Sequence, residues 1–251
     1  MPGHFGVEAR GEIALVRVDR PPANAMDAQL LADAVATHEQ LAAEEPAAVV
    51  ITGREGFFSA GADLKLAPTL DADAQAAMVD GINRMAAGWY GFPRPVVCAV
   101  NGHAIAGGMI LALCGDHRVA GPGGRFGLTE VRAGIPYPAI AMAVVRAELS
   151  PAAARELVLR GELFDAPGAR DRGLLDEVVE QDAVLDRALE VAGELAVLPA
   201  RTYAYVKAQL RAPVIAEARR VLEGGSDPLA GAWVGGETAG AAAAVLRGDR
   251  D

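Results

Sequence analysis

Two glycine-bearing segments and one later glutamate have the residue types and spacing to do chemistry. Phe58-Ser59-Ala60-Gly61-Ala62-Asp63-Leu64-Lys65 and Asn101-Gly102-His103-Ala104-Ile105-Ala106-Gly107-Gly108 each follow a short apolar, strand-like run, Ala48–Thr52 and Val96–Val100. Each ends where small residues give way to helix-like sequence, a geometry that exposes backbone N–H groups. Two such turns side by side can aim two amide donors at one oxygen, which stabilises an enolate or tetrahedral oxyanion without a charged side chain. The chemistry this suggests is on a thioester carbonyl.

The glutamate is Glu130, in Arg125-Phe126-Gly127-Leu128-Thr129-Glu130-Val131, an apolar segment that turns at Gly134-Ile135-Pro136. Taken singly, these features have ordinary readings: a surface carboxylate, a strand-to-helix loop at Ala60-Gly61-Ala62, and close helix packing at Gly107-Gly108. In combination they say more. A carboxylate facing a pocket formed by the two turns would lose solvation, its pKa would rise, and it could act as a general base near neutral pH.

The elements that must position these residues alternate. Ile13–Val18 reads as a strand, Asp27 caps a helix running to about Ala43 with Leu30, Leu31, Val35 and Leu41 inward, and Pro46 precedes the strand Ala48–Thr52. Residues 71–90 carry apolar side chains at helical spacing and stop before Phe92-Pro93-Arg94-Pro95. Strands follow at Val96–Val100 and over 116–120, with a short helix over Gly107–Leu113 between them. This order predicts an α/β fold with a largely parallel sheet covered by helices. From Ser150 and Pro151 onward the sequence is mostly helical, with a turn at Pro167, a last strand over 175–179, helix over 182–210 broken at Pro199, and a helix-prone stretch over 239–245.

Composition bounds the rest. The 251 residues suffice for one large domain with a helical tail, and 52% hydrophobic with 22% charged residues is ordinary for a globular chain. A net charge of −10 with scattered basic residues argues against nucleic-acid binding. A polyanionic small ligand would need a local basic spot, for which Arg20, Lys65 and Lys207 are the candidates. The first eight residues lack a basic segment followed by an apolar one, and the most apolar stretch, 96–114, is broken by Asn101, His103 and small residues, so the expected location is cytoplasmic, without a membrane span. Cys98 and Cys114 have no CxxC spacing or neighbouring His cluster and read as buried thiols, so neither metal nor disulfide is expected.

Together the motifs resemble the crotonase superfamily, the enoyl-CoA hydratase/isomerase family, over nearly the whole chain. They run from Val18-Asp19-Arg20-Pro21 with Asn24-Ala25, through the two turns and Pro95-Val96-Val97-Cys98-Ala99-Val100-Asn101-Gly102, to Gly115-Asp116-His117-Arg118-Val119-Ala120 and Arg172-Gly173-Leu174-Leu175-Asp176-Glu177-Val178-Val179. The resemblance implies a ββα-spiral core over 1–195 and a C-terminal helical region over 196–251 used to form a trimer or a dimer of trimers. It implies an acyl-CoA thioester substrate in fatty-acid metabolism, no separate cofactor, and a carbonyl oxygen held between the amides of Ala62 and Gly107. By the same resemblance the CoA adenine lies against the backbone of Ala60, Asp63 and Leu64, with Lys65 near its phosphates and Ala23, Asn24 and Ala25 lining the nucleotide side. Lys207 resembles a lysine that reaches the phosphate from a neighbouring subunit, and Gly108, Ile110 and Tyr137 fall at substrate-pocket positions.

One departure bears on the reaction. Hydratases of this family carry two glutamates, one on the short helix after the second turn and one at the position of Glu130. At the first position this chain has Ile110, which cannot ionise or hold a water. Adding water to a 2-enoyl thioester divides its proton transfers between two carboxylates, whereas moving a double bond from C3 to C2 needs one group that removes a proton from C2 and returns it to C4. The leading expectation is therefore Δ3,Δ2-enoyl-CoA isomerisation with Glu130 as the single acid and base. The alternatives are a hydratase with a second base drawn from Asp116, His103 or Tyr137, and an acyl-CoA-binding protein without turnover. Acyl specificity depends on residues such as 67–76, Met109, Tyr137 and Trp89.

Overall fold

A computed structural model describes residues 3–66 and 69–224, together with Asp227, Leu229, Trp233, Gly240, Ala241 and Ala244. Among the described residues nine strands form two sheets. β1 (Phe5–Arg10) runs antiparallel to β2 (Ile13–Val18). β3 (Ala48–Thr52), β5 (Val96–Val100), β7 (His117–Ala120) and β9 (Glu177–Val178) then add in parallel, giving a six-stranded sheet in the order β1-β2-β3-β5-β7-β9. β4 (Gly56–Ser59), β6 (Gly102–Ile105) and β8 (Phe126–Gly127) make a second, three-stranded parallel sheet.

The chain thus lays one strand in the large sheet, turns a corner, lays the next in the small sheet, and returns through a helix. That ββα step is taken first through α2 (Ala72–Tyr90) and then through α3 (Gly107–Leu113). Both functional turns accordingly leave strands of the small sheet, β4 and β6, and not the large-sheet strands that precede those in sequence. The small-sheet strands are four residues or fewer, too short for an alternating pattern to register. Asn101 ties two corners together: its Oδ1 accepts from Gly53 N at 3.0 Å and its Nδ2 donates to Arg54 O at 2.8 Å.

Local signals produced most helices where expected. Asp27 Oδ1 caps α1 (Ala28–Glu44) by accepting from Leu30 N, Asp71 caps α2 through Ala74 N, and Ser150 caps α5 (Pro151–Arg160). On α1 the inward side is Leu30, Leu31, Ala34, Thr37 and Leu41, while Val35 is only half-buried. The last strand shrinks from the expected 175–179 to two residues, α4 (Ala139–Glu148) forms where no helix was expected, and α9 (Ala212–Glu223) falls within the expected C-terminal helical region. Apart from Gly240, Ala241 and Ala244, the helix expected over 239–245 lies outside the described residues.

β3 and β5 are buried along their whole length because both faces of the large sheet are covered. One face joins the main core with α1 to α4. The other packs Leu15, Val50, Val97 and Val119 against Val184, Ala188 and Val191 of α7 (Val184–Ala196). Among the described residues no helix is long and apolar enough to cross a membrane.

α8 (Ala200–Leu210) and α9 are fastened to this core by buried charge. Lys207 Nζ contacts Asp116 Oδ2 at 2.6 Å and donates to Arg94 O at 3.1 Å, while Arg211 contacts Asp116 Oδ1 at 3.0 Å. Arg211 also donates to Cys114 O and Gly115 O and stacks on the Tyr90 ring, closing the C-terminal end of α3. Lys207 is therefore not available as a phosphate ligand: it is only 7% exposed, and burial outweighs Asp116 to push its ammonium down to about 8. Lys207→Met, which keeps the apolar stem and removes the charge beside Asp116, should cost about 1–3 kcal/mol, read as a lower denaturant midpoint at pH 7.

Candidate active site

The first turn is strapped to the segment before α1. Ala60 N donates to Ala23 O, Met26 N to Gly61 O at 2.7 Å, and Asp63 N to Met26 O at 2.9 Å. In this parallel bridge between Met26 and Ala62, the Ala62 N–H points away from Met26 and makes no hydrogen bond within the described protein. Gly61 permits the turn because its φ is +77°, and a Cβ there would sit 2.9 Å from Gly107 N.

The second turn meets the first at that point. Gly107 opens α3, so its N–H belongs to the donors that a helix N-terminus leaves unpaired. A Cβ on Gly107 would lie 3.8 Å from Ala62 N, which puts the two amides side by side. Ala106 aims the Gly107 amide from a backbone at φ 51°, ψ −123°, a conformation that L residues avoid. Nothing in the sequence distinguishes Ala106 from its neighbours. Gly108 sets the spacing: a Cβ there would lie 2.2 Å from Ser59 O, so only glycine lets α3 approach β4 this closely.

Beneath the amides is a cavity of about 190 Å³. It brings together Ala60, Ala62 and Leu64 of the first turn, Ala106, Gly107 and Ile110 of the second, and Glu130. Glu130 starts a single 3-10 turn, Glu130–Ala133, that ends at Gly134 with φ +66°. It is 7% exposed, and desolvation raises its carboxyl to about 7. Among the described residues neither carboxyl oxygen has a hydrogen-bond partner of standard geometry, nor does the buried Tyr137 hydroxyl, yet Tyr137 acts on the carboxyl by favouring its ionised form. Tyr137 therefore stands beside Glu130 and is not among the cavity's lining residues. Ile110 is 1% exposed, and Glu130 is the one ionisable side chain among the described residues that line this cavity.

The other expected residues fall into separate places. Ala23 and Ala25 are half-buried on the strap behind the first turn. The Asn24 side chain is spent inside the protein: Nδ2 donates to Val18 O and Phe58 O, and Oδ1 accepts from Arg20 N at 2.7 Å. Any contact of Asn24 with a nucleotide would have to be through backbone. Arg20 is paired with Asp27 at 2.9 Å and Asp63 at 3.1 Å, whereas Lys65 is exposed at the turn's edge. Asp116 is held by Lys207 and Arg211, and His103 stacks on Phe57 with Nδ1 accepting from Arg125 N, so neither supplies a second base to the cavity. Met109 and Trp89 are core residues outside the lining. Trp233 does line the cavity; it packs on its own chain, and its Nε1 donates to Pro136 O at 3.1 Å.

Paired amides above a shielded carboxyl can hold negative charge on a carbonyl oxygen while a proton moves at the adjacent carbon, the arrangement of an enolate-stabilising acid/base site. The enoyl-CoA hydratase/isomerase family model matches residues 8–228, and the chain belongs to that family, with the crotonase fold. It is 35% identical over 224 residues to the probable enoyl-CoA hydratase EchA17 of Mycobacterium tuberculosis, covering 84% of each chain. It is 35% identical over 192 residues to the 2,3-dehydroadipyl-CoA hydratase of Escherichia coli, covering 76% of this chain and 74% of that protein. Human mitochondrial Δ3-Δ2-enoyl-CoA isomerase superposes with a TM-score of 0.90 at 25% identity, covering 97% of both chains.

Proposed function

We propose that this acyl-CoA enzyme moves the double bond of a 3-enoyl-CoA to the 2-position, with Glu130 as the single acid and base. The observation that carries this reading is the pairing of Glu130 with Ile110 in one cavity, a single ionisable group where hydration would call on two. The thioester oxygen sits between the Ala62 and Gly107 amides, and the Glu130 carboxylate removes a proton from C2. The electrons of that C–H bond delocalise into a dienolate, and the amides hold its oxygen. Glu130 then delivers the proton to C4, leaving a C2=C3 bond and restoring the carbonyl. No added cofactor enters these steps. The adenine would lie along Ala60, Asp63 and Leu64, with Lys65 as the exposed basic residue near the phosphates.

The hydratase reading draws support from the names of EchA17 and the Escherichia coli relative. It needs a second base: Asp116 and His103 are engaged elsewhere, and Tyr137 stands beside Glu130 with its hydroxyl pKa raised by burial and by that carboxylate, which disfavours it as a base. Incubation with cis-3-hexenoyl-CoA and, separately, crotonyl-CoA tests the choice: isomerisation without water addition supports the proposal, and robust water addition to crotonyl-CoA overturns it. Absence of deuterium wash-in at C2 of a bound thioester would favour a binding protein without turnover.

The raised Glu130 pKa sets the pH dependence. Because the base form is required, kcat/KM should rise with pH and level off above about 7. Tyr137→Phe removes the group that favours the ionised carboxylate and should move this limb to higher pH. A limb near the ordinary carboxylate range in the wild type would contradict both expectations.

The region over 196–251, which includes α8 and α9, is proposed as the trimerisation region, the trimers able to pair. Val197, Tyr205, Val206 and Leu210 expose an apolar strip along it, which supports association through this face. Light scattering across a dilution series measures the assembly.

A further inference from the structure

The site cavity adjoins a second, larger one of about 420 Å³, and Ala62, Ile135 and Trp233 line both. Leu66, Leu70 and Met78 supply much of its apolar wall. Of its polar lining residues, Asp27 and Asp63 are paired with Arg20 and Gln29 with Asp33, and Gln75, near the start of α2, differs from them. It is 8% exposed, it lines this second cavity, and its Oε1 is a buried atom without a hydrogen-bond partner among the described residues.

The orientation of that amide follows from its one bond. Gln75 Nε2 donates to Leu70 O at 3.0 Å, and a carbonyl oxygen can only accept, so the free end of the amide is the oxygen. Burial has removed Oε1 from water without supplying a donor. An orphaned acceptor, unlike the paired polar groups around it, favours a ligand that brings a donor to it and disfavours one that brings only methylenes.

We propose that the larger cavity receives the far part of the acyl group and that Gln75 selects there for a chain bearing a hydrogen-bond donor, a hydroxyl being the simplest. This rests on the reading above that the thioester carbonyl lies at the Ala62 and Gly107 amides, since the cavity shares Ala62 with that site and continues from it. The substrate class is then a hydroxylated acyl-CoA, with the hydroxyl remote from the thioester.

The test is binding, so it does not depend on turnover. Calorimetric titration of the full chain with hexanoyl-, octanoyl- and decanoyl-CoA and with their ω-hydroxy counterparts should show, at one chain length, about 10- to 100-fold tighter binding of the hydroxylated member. Gln75→Leu should abolish or reverse that preference, and Gln75→Met, with unbranched and flexible bulk, guards against a packing defect in the leucine variant. Equal binding of the two series at every length, or a preference retained in both variants, overturns the proposal. So does a loss in Gln75→Leu that is as large for acetyl-CoA as for the long chains, because that would put the amide against the pantetheine arm. Failure of every thioester to bind would overturn the acyl-CoA reading itself, a result distinct from equal binding.

Discussion

Glu130→Gln should lower turnover of a 3-enoyl-CoA by about a hundred- to ten-thousand-fold while leaving acyl-CoA binding within a few-fold of the wild type. The amide matches the carboxyl in shape but cannot accept the C2 proton, and the described residues of the cavity lining offer no other ionisable group to take over. Steady-state kinetics with cis-3-hexenoyl-CoA, alongside a binding titration, checks both halves. Undiminished conversion would remove Glu130 from the mechanism.

The same substitution should affect stability with a definite sign. A carboxyl held at about 7 in the folded protein binds its proton more tightly than in the unfolded chain. The fold therefore loses stability as pH rises from the unfolded carboxylate range through about 7, and above that the burial penalty is complete. Glutamine carries no such penalty. The variant should unfold at a higher temperature than the wild type at pH 8, and the difference should shrink toward pH 4 as the wild-type carboxyl becomes protonated in both states. A gain in stability together with a loss of activity is the expected mark of a group kept buried for its chemistry.

Gly108→Ala should be nearly as damaging to turnover, by about a hundred- to a thousand-fold in kcat, although Gly108 is not among the residues that line the cavity. A Cβ at 2.2 Å from Ser59 O meets backbone and not a flexible side-chain end, so α3 must move away from β4. That movement carries the Gly107 amide away from the Ala62 amide and opens the oxyanion site. Because the donors are backbone groups, they can be removed only by such a displacement. Binding should weaken less than kcat, since the charge on the oxygen is fully developed only in the transition state. A variant with unchanged kcat and a shifted α3 would show that the amide pair contributes little.

Much of this protein is legible along the chain. Asp27, Asp71 and Ser150 cap helices where their side chains can reach an unpaired amide, and β2, β3 and β5 appear as apolar runs because both faces of the large sheet are covered. The two glycine turns, Glu130, and the absence of a carboxylate at Ile110 are also plain in the sequence, and the proposed proton chemistry rests on them. These features depend on neighbours a few residues away, so short-range patterns determine them.

The tertiary structure decided which of these residues meet. Lys207 looks like a free cation until packing sets it beside Asp116, and Asn24 looks like a binding residue until its side chain is seen spanning Val18, Phe58 and Arg20. The positive φ of Ala106, the wall supplied by Trp233 and the partnerless Gln75 oxygen have no local signature. Each arises because segments far apart in the chain are pressed together, and burial then determines which polar groups are paired, which are left to bind a ligand, and how far a carboxyl such as that of Glu130 is moved from its ordinary pKa.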